Sequence, residues 1–556
     1  MIIDAAKAAL PDRIEADIVI IGSGPVGITL ALELAGAGQA VVLLEAGGQR
    51  FSRASQAIYR AEAVSPVAHG PVDMFRRRGV GGSSTVWGGR CIPFDPIDFE
   101  HRPWMRHARW PISYGDVARY YPRALAYAQA GALAFAAGVA LPGEPAELAP
   151  GVASRDVVLD RIERFSHPTD FGRWYDARLR AQPHLRLFYN APVEQILTAD
   201  DGARAAGVRA RIAGRSLVFA APRVVVACGG LETARLLLAS DEARACGLGN
   251  ERDLVGRFYQ CHLEGEIGAI AFTRDVDRTR IDYQRAPDGT YCRRYLWLSP
   301  EAQRRDALAG LVLRPAHANI VDPGHRNPVL SAMYLVKSFI VAEYARKMTS
   351  LEAVARAEYA GGAGAYYAAH LRNVVAGAPR LTGFGLHWLR RRILAQRKLP
   401  SVVLIDRRAT YPLDVNAEQE PNPESRVRLG GERDALGMRR LIVDWRTTEA
   451  DHHRLAEGMR VIQRAVARSG TVRIDLGEDL DVLAARRVPV GGHHIGTARM
   501  ASDPSAGVCD ANAELFGTRG VFLAGATVFP TSGFANPTLV MLALALRLAE
   551  YLRQNR

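Results

Sequence analysis

The sequence predicts an α/β protein, α+β taken overall, built on a parallel sheet with a second unit of mixed strands and helices. Three observations predict it. Residues 17–45 read as strand, glycine-rich turn, helix and strand. Residues 521–554 read as strand, loop and long helix. Between them lie short apolar strands at 185–227 and helical stretches at 330–398 and 449–467. A chain of 556 residues, 48% hydrophobic and 23% charged, has ample material for large cores and more than one domain.

The first strand covers residues 17–21. Gly22-Ser-Gly24-Pro-Val-Gly27 turns the chain into a helix that runs to residue 34, Gly38 ends it, and the next strand, 40–44, closes on Glu45. Gly22 permits the tight turn, Gly24 lets backbone approach a pyrophosphate, and Gly27 lets helix and strand lie close. The helix start aims free N–H groups and a positive dipole end at phosphate. Glu45, eighteen residues after Gly27, is placed to accept both hydroxyls of a ribose. Strand, helix, glycines and acid in one register make a Rossmann-type unit for a dinucleotide. Its place at the start of the chain favours FAD over NAD. Gly361-Gly-Ala-Gly364 has no third glycine, follows no strand and reads as a helix break. Without a second complete fingerprint, an NAD(P)H-linked reductase or monooxygenase is disfavoured.

A second glycine-rich run, Gly79 to Arg90, contains Gly81, Gly82, Ser83, Ser84, Val86, Trp87 and Gly88. Such a loop can lay backbone amides and small hydroxyls against a planar ring and its phosphates. Strands follow at 185–189, 193–198 (from Val193), 206–211, 216–220 and 224–227, and Gly229-Gly230 opens a helix to 239. Strand patterns recur at 267–272 and 295–298. Near the end, His493 and His494 stand in a glycine-flanked segment with Gly496 and Thr497. With no cysteine or carboxylate nearby in sequence, a metal site is not expected there. Gly525-Ala526 begins the loop that leads through Asn536, Pro537 and Thr538 into the last helix. On local rules Pro537 takes the first helical position and Asn536 the N-cap. That helix start also suits the electron-rich side of a reduced flavin.

Composition excludes other classes. Net charge is +13, and Arg supplies almost all of it: the chain has four Lys, at 7, 337, 347 and 398. Cations are interleaved with acids, so no nucleic-acid stripe is indicated. One exception is the basic segment 390–398, with Arg390, Arg391, Arg392, Arg397 and Lys398 set among Leu389, Ile393 and Leu394. It reads as a solvated helix face, with an anionic membrane or a partner as the alternative. Six scattered Cys without a CxxC pair read as buried free thiols. The first sixteen residues lack the apolar core of a signal peptide, and no apolar run is long enough to span a bilayer. A cytoplasmic protein is the simplest expectation, with export beside a signal-bearing partner left open.

Taken jointly, these motifs resemble the glucose-methanol-choline (GMC) oxidoreductase family. The likeness runs through residues 17–45, 81–89, 223–240, 254–262, 422–429, 493–500 and 524–539. It is strongest to the branch of pyranose oxidases and sugar or glycoside dehydrogenases, where the second catalytic residue is Asn. The family's His-x-x-Gly-Thr pattern falls on His493, and its second position on Asn536. The resemblance implies that His493 takes a hydroxyl proton, Asn536 holds the substrate oxygen, and the carbon-bound hydride passes to flavin N5. It places Gly22, Gly24, Gly27, Glu45, the 81–88 loop, Val193, Gly229, Gly525, Ala526, Pro537 and Thr538 against FAD. Pyranose oxidases often link flavin covalently through a His before the loop Trp; here that residue is Val86, so non-covalent FAD is expected.

The expected substrate is a small-molecule alcohol, a sugar or glycoside hydroxyl. Oxygen, a quinone or a redox protein would accept the electrons. A lipid, sterol or natural-product alcohol is the alternative, for which Leu335, Phe339, Ile340 and Tyr344 could offer apolar lining, although packed core is the favoured reading of these four; a non-catalytic flavin binder is disfavoured because both His493 and Asn536 are present. The expected FAD-binding domain is discontinuous (14–110, 190–270 and 495–556), with 111–189 and 271–494 forming the substrate-binding domain.

Overall fold

The computed structural model describes residues 1–65, 69–152, 154–274, 276–340, 352, 355–357, 359–401, 403–404, 409–477, 480 and 492–555. Its first sheet has six strands, in the order Ile2–Asp4, Leu185–Tyr189, Val41–Leu44, Ile18–Ile21, Val224–Val226, Val521–Leu523. Every pairing is parallel. Strands Ile18–Ile21, Val41–Leu44, Val224–Val226 and the edge strand Val521–Leu523 are apolar at each position and buried throughout, as a parallel sheet covered on both faces requires. Helix Pro25–Gly36 follows Gly24 with proline in its first turn, and helix Thr538–Gln554 packs against it. The two ends of the chain thus build one sheet-and-helix unit, and the first and last motifs meet in space.

Most expected elements are present with ends moved by a residue or two. Two placements differ. Leu263–Phe272, expected mostly within the FAD-binding segment 190–270, pairs instead with Thr410–Ala417 and Val472–Asp475. Strand Leu185–Tyr189, expected in the substrate-side segment 111–189, is hydrogen-bonded inside the parallel sheet, between Ile2–Asp4 and Val41–Leu44. Its mostly apolar run suits an interior strand, but nothing local in sequence says which sheet it joins.

A second six-stranded sheet, in the order Val472–Asp475, Leu263–Phe272, Thr410–Ala417, Leu311–Pro315, Leu296–Leu298, Val157–Val158, is antiparallel. Alternation divides its two faces. Tyr411, Leu413 and Val415 share one face with Leu311 and Leu313, and helix Glu449–Ala467 packs there through Gly458 against Leu311 and Leu298. A reciprocal Thr448–Asp451 cap starts that helix. The opposite face carries Glu264, Glu266, Asp414, Asn416 and Arg314: Glu264 stands opposite Asn416, and Asp414 opposite both Glu266 and Arg314. This polar face bears the site described below.

The two units are tied by a buried ion pair. Arg102 donates two hydrogen bonds to Glu418, each 2.6 Å, and neither side chain is exposed. Bidentate geometry satisfies both carboxylate oxygens. Among the described residues no helix is long and apolar enough to cross a membrane. Leu335 is exposed on helix Pro328–Ile340; the side chains of Phe339 and Ile340, and all of Tyr344, lie outside the described residues.

Glu418→Gln leaves a buried guanidinium without its counter-charge. We expect a loss of about 3–5 kcal/mol, read as a lower denaturant midpoint, with most of it recovered when Arg102→Met and Glu418→Leu are combined. A loss below about 1 kcal/mol would remove the pair from the account of stability.

Candidate active site

The glycines at the strand ends divide into two kinds. Gly22 has φ +101°, and a Cβ there would lie 2.6 Å from the Ala227 oxygen; a Cβ at Gly27 would lie 1.9 Å from the Gly22 oxygen. These two allow close backbone packing. A Cβ at Gly24, Gly88, Gly229 or Gly525 would meet no protein atom within 4 Å. Gly24, Gly229 and Gly525 follow the carboxyl ends of three adjacent parallel strands, Ile18–Ile21, Val224–Val226 and Val521–Leu523. Together they border an open cradle where this type of sheet receives a dinucleotide. The residues present fit FAD there.

The 81–88 loop is held from behind. A Cβ at Gly82 would touch Gly24 Cα at 2.9 Å, and one at Gly81 would touch Asp170 Oδ1 at 2.8 Å. Ser84 Oγ donates to Gly81 O (2.5 Å) and accepts from Phe171 N (3.0 Å). Trp87 Nε1 donates to Thr169 O at 3.0 Å, and Ser83 Oγ accepts from Arg77 N at 3.3 Å. Ser84 and Trp87 therefore spend their polar atoms on loop shape. Glu45 accepts from Ser23 N and Oγ (3.0 and 2.7 Å) through one oxygen and from Gly47 N (2.8 Å) through the other, which anchors the carboxylate beside the first glycine turn. Val193 begins strand Val193–Ala199 and packs on the core. Ala526 O accepts from Gly496 N at 3.0 Å and joins the histidine loop to the last turn.

The reading of Asn536 as an N-cap is corrected. The last helix starts at Thr538 with Pro537 as its cap residue, so the Asn536 side chain is free of that task. Its Nδ2 lies 3.0 Å from His493 Nε2. On the other side of the ring, His493 Nδ1 lies 3.2 Å from Glu264 Oε1 and 2.8 Å from His262 Nδ1. His262 Nε2 reaches Ser532 O at 3.3 Å. One proton assignment satisfies all four contacts. The Asn536 amide donates to a bare His493 Nε2. The single N–H of His493 is then on Nδ1, directed at Glu264 and at the lone pair of His262. His262 in turn donates from Nε2 to Ser532 O.

The electrostatics agree with neutral imidazole. Burial is the largest influence on His493 and pushes its pKa below 6.5, while Glu264 opposes the shift and His262 and Arg90 add to it. For Glu264, burial acts upward, but the hydrogen bonds and charges of His262 and His493 outweigh it and hold the carboxyl well below 4.5. Asp414 is raised above 3.8, by burial first and against the charges of Arg314 and Arg90. The Glu264, Arg90 and Asp414 side chains nevertheless keep 27%, 26% and 39% of their surface accessible. These three charged side chains stay partly accessible, and Glu264 and Arg90 act electrostatically on His493.

Sequence reading found His493 and Asn536 but missed Glu264 and His262. A signal existed. His262 and Glu264 are two residues apart at the start of a strand, which puts both on one face.

Neighbours in sequence give no sign of a metal site, but the fold gathers His69, Cys261 and His494 in one cluster and His262, Glu264 and His493 in another. In the first, the Tyr259 hydroxyl sits among the three side chains, 2.6 Å from His69 Nε2, 2.6 Å from His494 Nδ1 and 3.3 Å from Cys261 Sγ. Burial pushes His69 down to about 4 and the Cys261 thiol up to about 12. The cluster is a neutral hydrogen-bonded core, and it turns His494 away from His493's partners.

The profile described as FAD dependent oxidoreductase matches residues 17–331, more than half of the chain, and the GMC oxidoreductase C-terminal profile matches residues 421–545, which span the histidine loop and Asn536. The chain belongs to the GMC oxidoreductases. Its family cofactor is FAD. Two curated relatives are similar over short stretches of this GMC protein. C-glycoside 3-oxidase of Microbacterium trichothecenolyticum is 34% identical over 122 residues, 21% of this chain and 22% of its own. Paromamine 6'-oxidase of Streptomyces fradiae is 30% identical over 131 residues, 23% of each chain. The alignments thus span only about a fifth of each relative. Among solved structures, pyridoxine 4-oxidase from Mesorbium loti has a TM-score of 0.58 at 18% identity, covering 97% of this chain and 100% of that one. A fungal aryl-alcohol oxidase has a TM-score of 0.55 at 13% identity, covering 98% and 100%. These two share its fold.

The glycine division yields a direct test. Gly24 has φ −72°, so alanine fits its backbone, and the added methyl projects into the cradle. Gly24→Ala is expected to leave the apoprotein's denaturant midpoint unchanged and to weaken FAD binding at least tenfold by titration. Gly27→Ala is expected to lower both. Equal effects of the two variants would contradict the assignment.

Proposed function

We propose that this GMC oxidoreductase oxidises a hydroxyl group of a sugar or glycoside, with His493 as the base and Asn536 holding the substrate oxygen. The carrying observation is the hydrogen-bonded series Asn536–His493–Glu264, with Arg90 and Asp414, both partly accessible, interacting electrostatically with His493 and Glu264 respectively. A ligand with several hydroxyls can hydrogen-bond to such charged groups, whereas an alkyl chain or sterol would take water from them without replacing its hydrogen bonds. The curated relatives, named for oxidation of a C-glycoside and of paromamine, support the same class.

Bound FAD supplies the acceptor for the hydride. The protein's part is proton transfer and orientation. Asn536 Nδ2 is the donor that can hold a ligand hydroxyl oxygen, once that hydroxyl replaces Nδ2 as the hydrogen-bond donor to His493 Nε2. The bare Nε2 then receives the hydroxyl proton. The ring becomes an imidazolium, and Glu264, already below the usual carboxylate range, faces its Nδ1–H. This is the arrangement in which a buried acid fixes a histidine's tautomer and steadies its charged form. We further propose that FAD is held without a covalent bond, since Val86 offers no side-chain nucleophile before Trp87. The electrons leave to oxygen, a quinone or a redox protein. The two-domain division is kept, with 2–4 and 185–189 moved to the FAD-binding unit and 263–270 to the substrate-binding unit.

His493→Ala should keep FAD and lower kcat by roughly 10²–10⁴-fold. Loss of flavin with normal turnover in the remaining holoenzyme would overturn the role. Because the reactive form is neutral and the His493 pKa is lowered, the acid limb of kcat/KM should lie below pH 6.5. Glu264 raises that pKa, so Glu264→Gln should move the limb further to acid. It should also lower kcat by roughly 10- to 100-fold, the worth of one charge-assisted hydrogen bond. A limb moving toward neutral pH would contradict this.

A further inference from the structure

The segment from residue 360 to 400 contains seven cations and no acidic residue. It folds into helices Gly362–Ala376 and Ala378–Trp388, the second continued by a wider turn through Leu389–Leu394. Each has an inward face. Tyr366, Ala369 and His370 of the first are buried, with Tyr366 against Ile320, Val321 and Tyr334. Phe384 and Trp388 of the second pack on Phe165, Tyr291 and Leu399. Arg392 and Arg397 also turn inward, to the carbonyls of Leu399 and Phe165.

The outward faces are apolar as well. Tyr367, Leu371 and Val375 stand four residues apart on the first helix, a single stripe, and are 40–69% exposed. Leu386, Leu389, Ile393 and Leu394 form the corresponding stripe on the second and are 41–70% exposed. Arg372, Arg380, Arg390, Arg391 and Lys398 are exposed on the same segment, and none is in an ion pair with another described residue. A solvated helix face, the expectation from sequence, would carry polar side chains here. Contiguous exposed apolar side chains mark an interaction surface.

We infer that this face docks the protein on a membrane surface bearing anionic lipid headgroups. Charge complementarity selects that occupant. Apolar stripes enter the boundary between headgroups and acyl chains, while the cations meet phosphate. Nothing in this placement needs a spanning helix, and it stands apart from the oxidation chemistry proposed above.

Sedimentation of the holoenzyme with vesicles tests it. The protein should pellet with phosphatidylcholine vesicles containing phosphatidylglycerol and stay in solution with phosphatidylcholine alone. Each cation near such a surface is worth about fivefold in partitioning. Arg390→Glu with Arg391→Glu should therefore weaken binding by roughly 25-fold or more, and Ile393→Ser with Leu394→Ser should weaken it at least tenfold. Flavin content should be unchanged in both. Molar salt should remove most of the charge-dependent part. No binding to anionic vesicles, or equal binding by wild type and both variants, would overturn the inference. So would a dimer that the Ser variants convert to monomer without any lipid effect, which would assign the face to a second copy of the chain.

Discussion

A carboxylate held under two imidazoles is the constraint around which the site is arranged. Glu264 keeps its charge in a buried setting chiefly because the Nδ1–H of His493 faces it. That requirement fixes the His493 ring and leaves its Nε2 toward Asn536. The backbone enforces the same register. Gln260 and Ile495 exchange hydrogen bonds at 3.0 and 3.1 Å, so the histidine loop is stitched to the chain just before Glu264. Thr497 adds a second anchor through Gly230 O and Thr527 Oγ1. The base is positioned by three separated stretches of chain.

The same stretches adjoin the cofactor cradle. Gly229, next to the Gly230 anchor, follows strand Val224–Val226; Gly525, next to the turn bonded by Gly496, follows the edge strand Val521–Leu523. The open glycines and the His493 loop therefore share their supports. Gly24 belongs to the nucleotide half of the cradle, where Ser23 and Glu45 bond, and lies farther from His493 in this connectivity. A change at Gly24 is thus separable from chemistry at His493. The second sheet contributes its polar face, and its apolar face is consumed by helix Glu449–Ala467.

Much of this was legible in the sequence because its determinants are local. The first βαβ unit depends on glycines three or fewer residues apart and on two apolar strands. Helix Glu449–Ala467 depends on a cap and periodicity, and helix Thr538–Gln554 on periodicity alone. His493 and Asn536 stand in short recognisable runs. What was not legible depends on long-range pairing. Strand Leu185–Tyr189 is apolar enough for either sheet, and only its partners decide. Asn536 satisfies the local rule for a cap, but its contact with His493 prevails over that rule. Cys261 and His494 are 233 positions apart, so proximity in sequence gave no account of their cluster. Glu264 was overlooked for the same reason, although its spacing from His262 was visible.

The central claim is that neutral His493 presents a bare Nε2 because Glu264 holds the proton on Nδ1. Nitrogen NMR of the holoenzyme labelled with ¹⁵N-histidine at pH 7, with the His493 signals assigned by their loss in His493→Ala, measures this directly. The account predicts a neutral ring protonated at Nδ1, and a changed tautomer balance in Glu264→Gln. An imidazolium, or a ring protonated at Nε2 in the wild type, would contradict it.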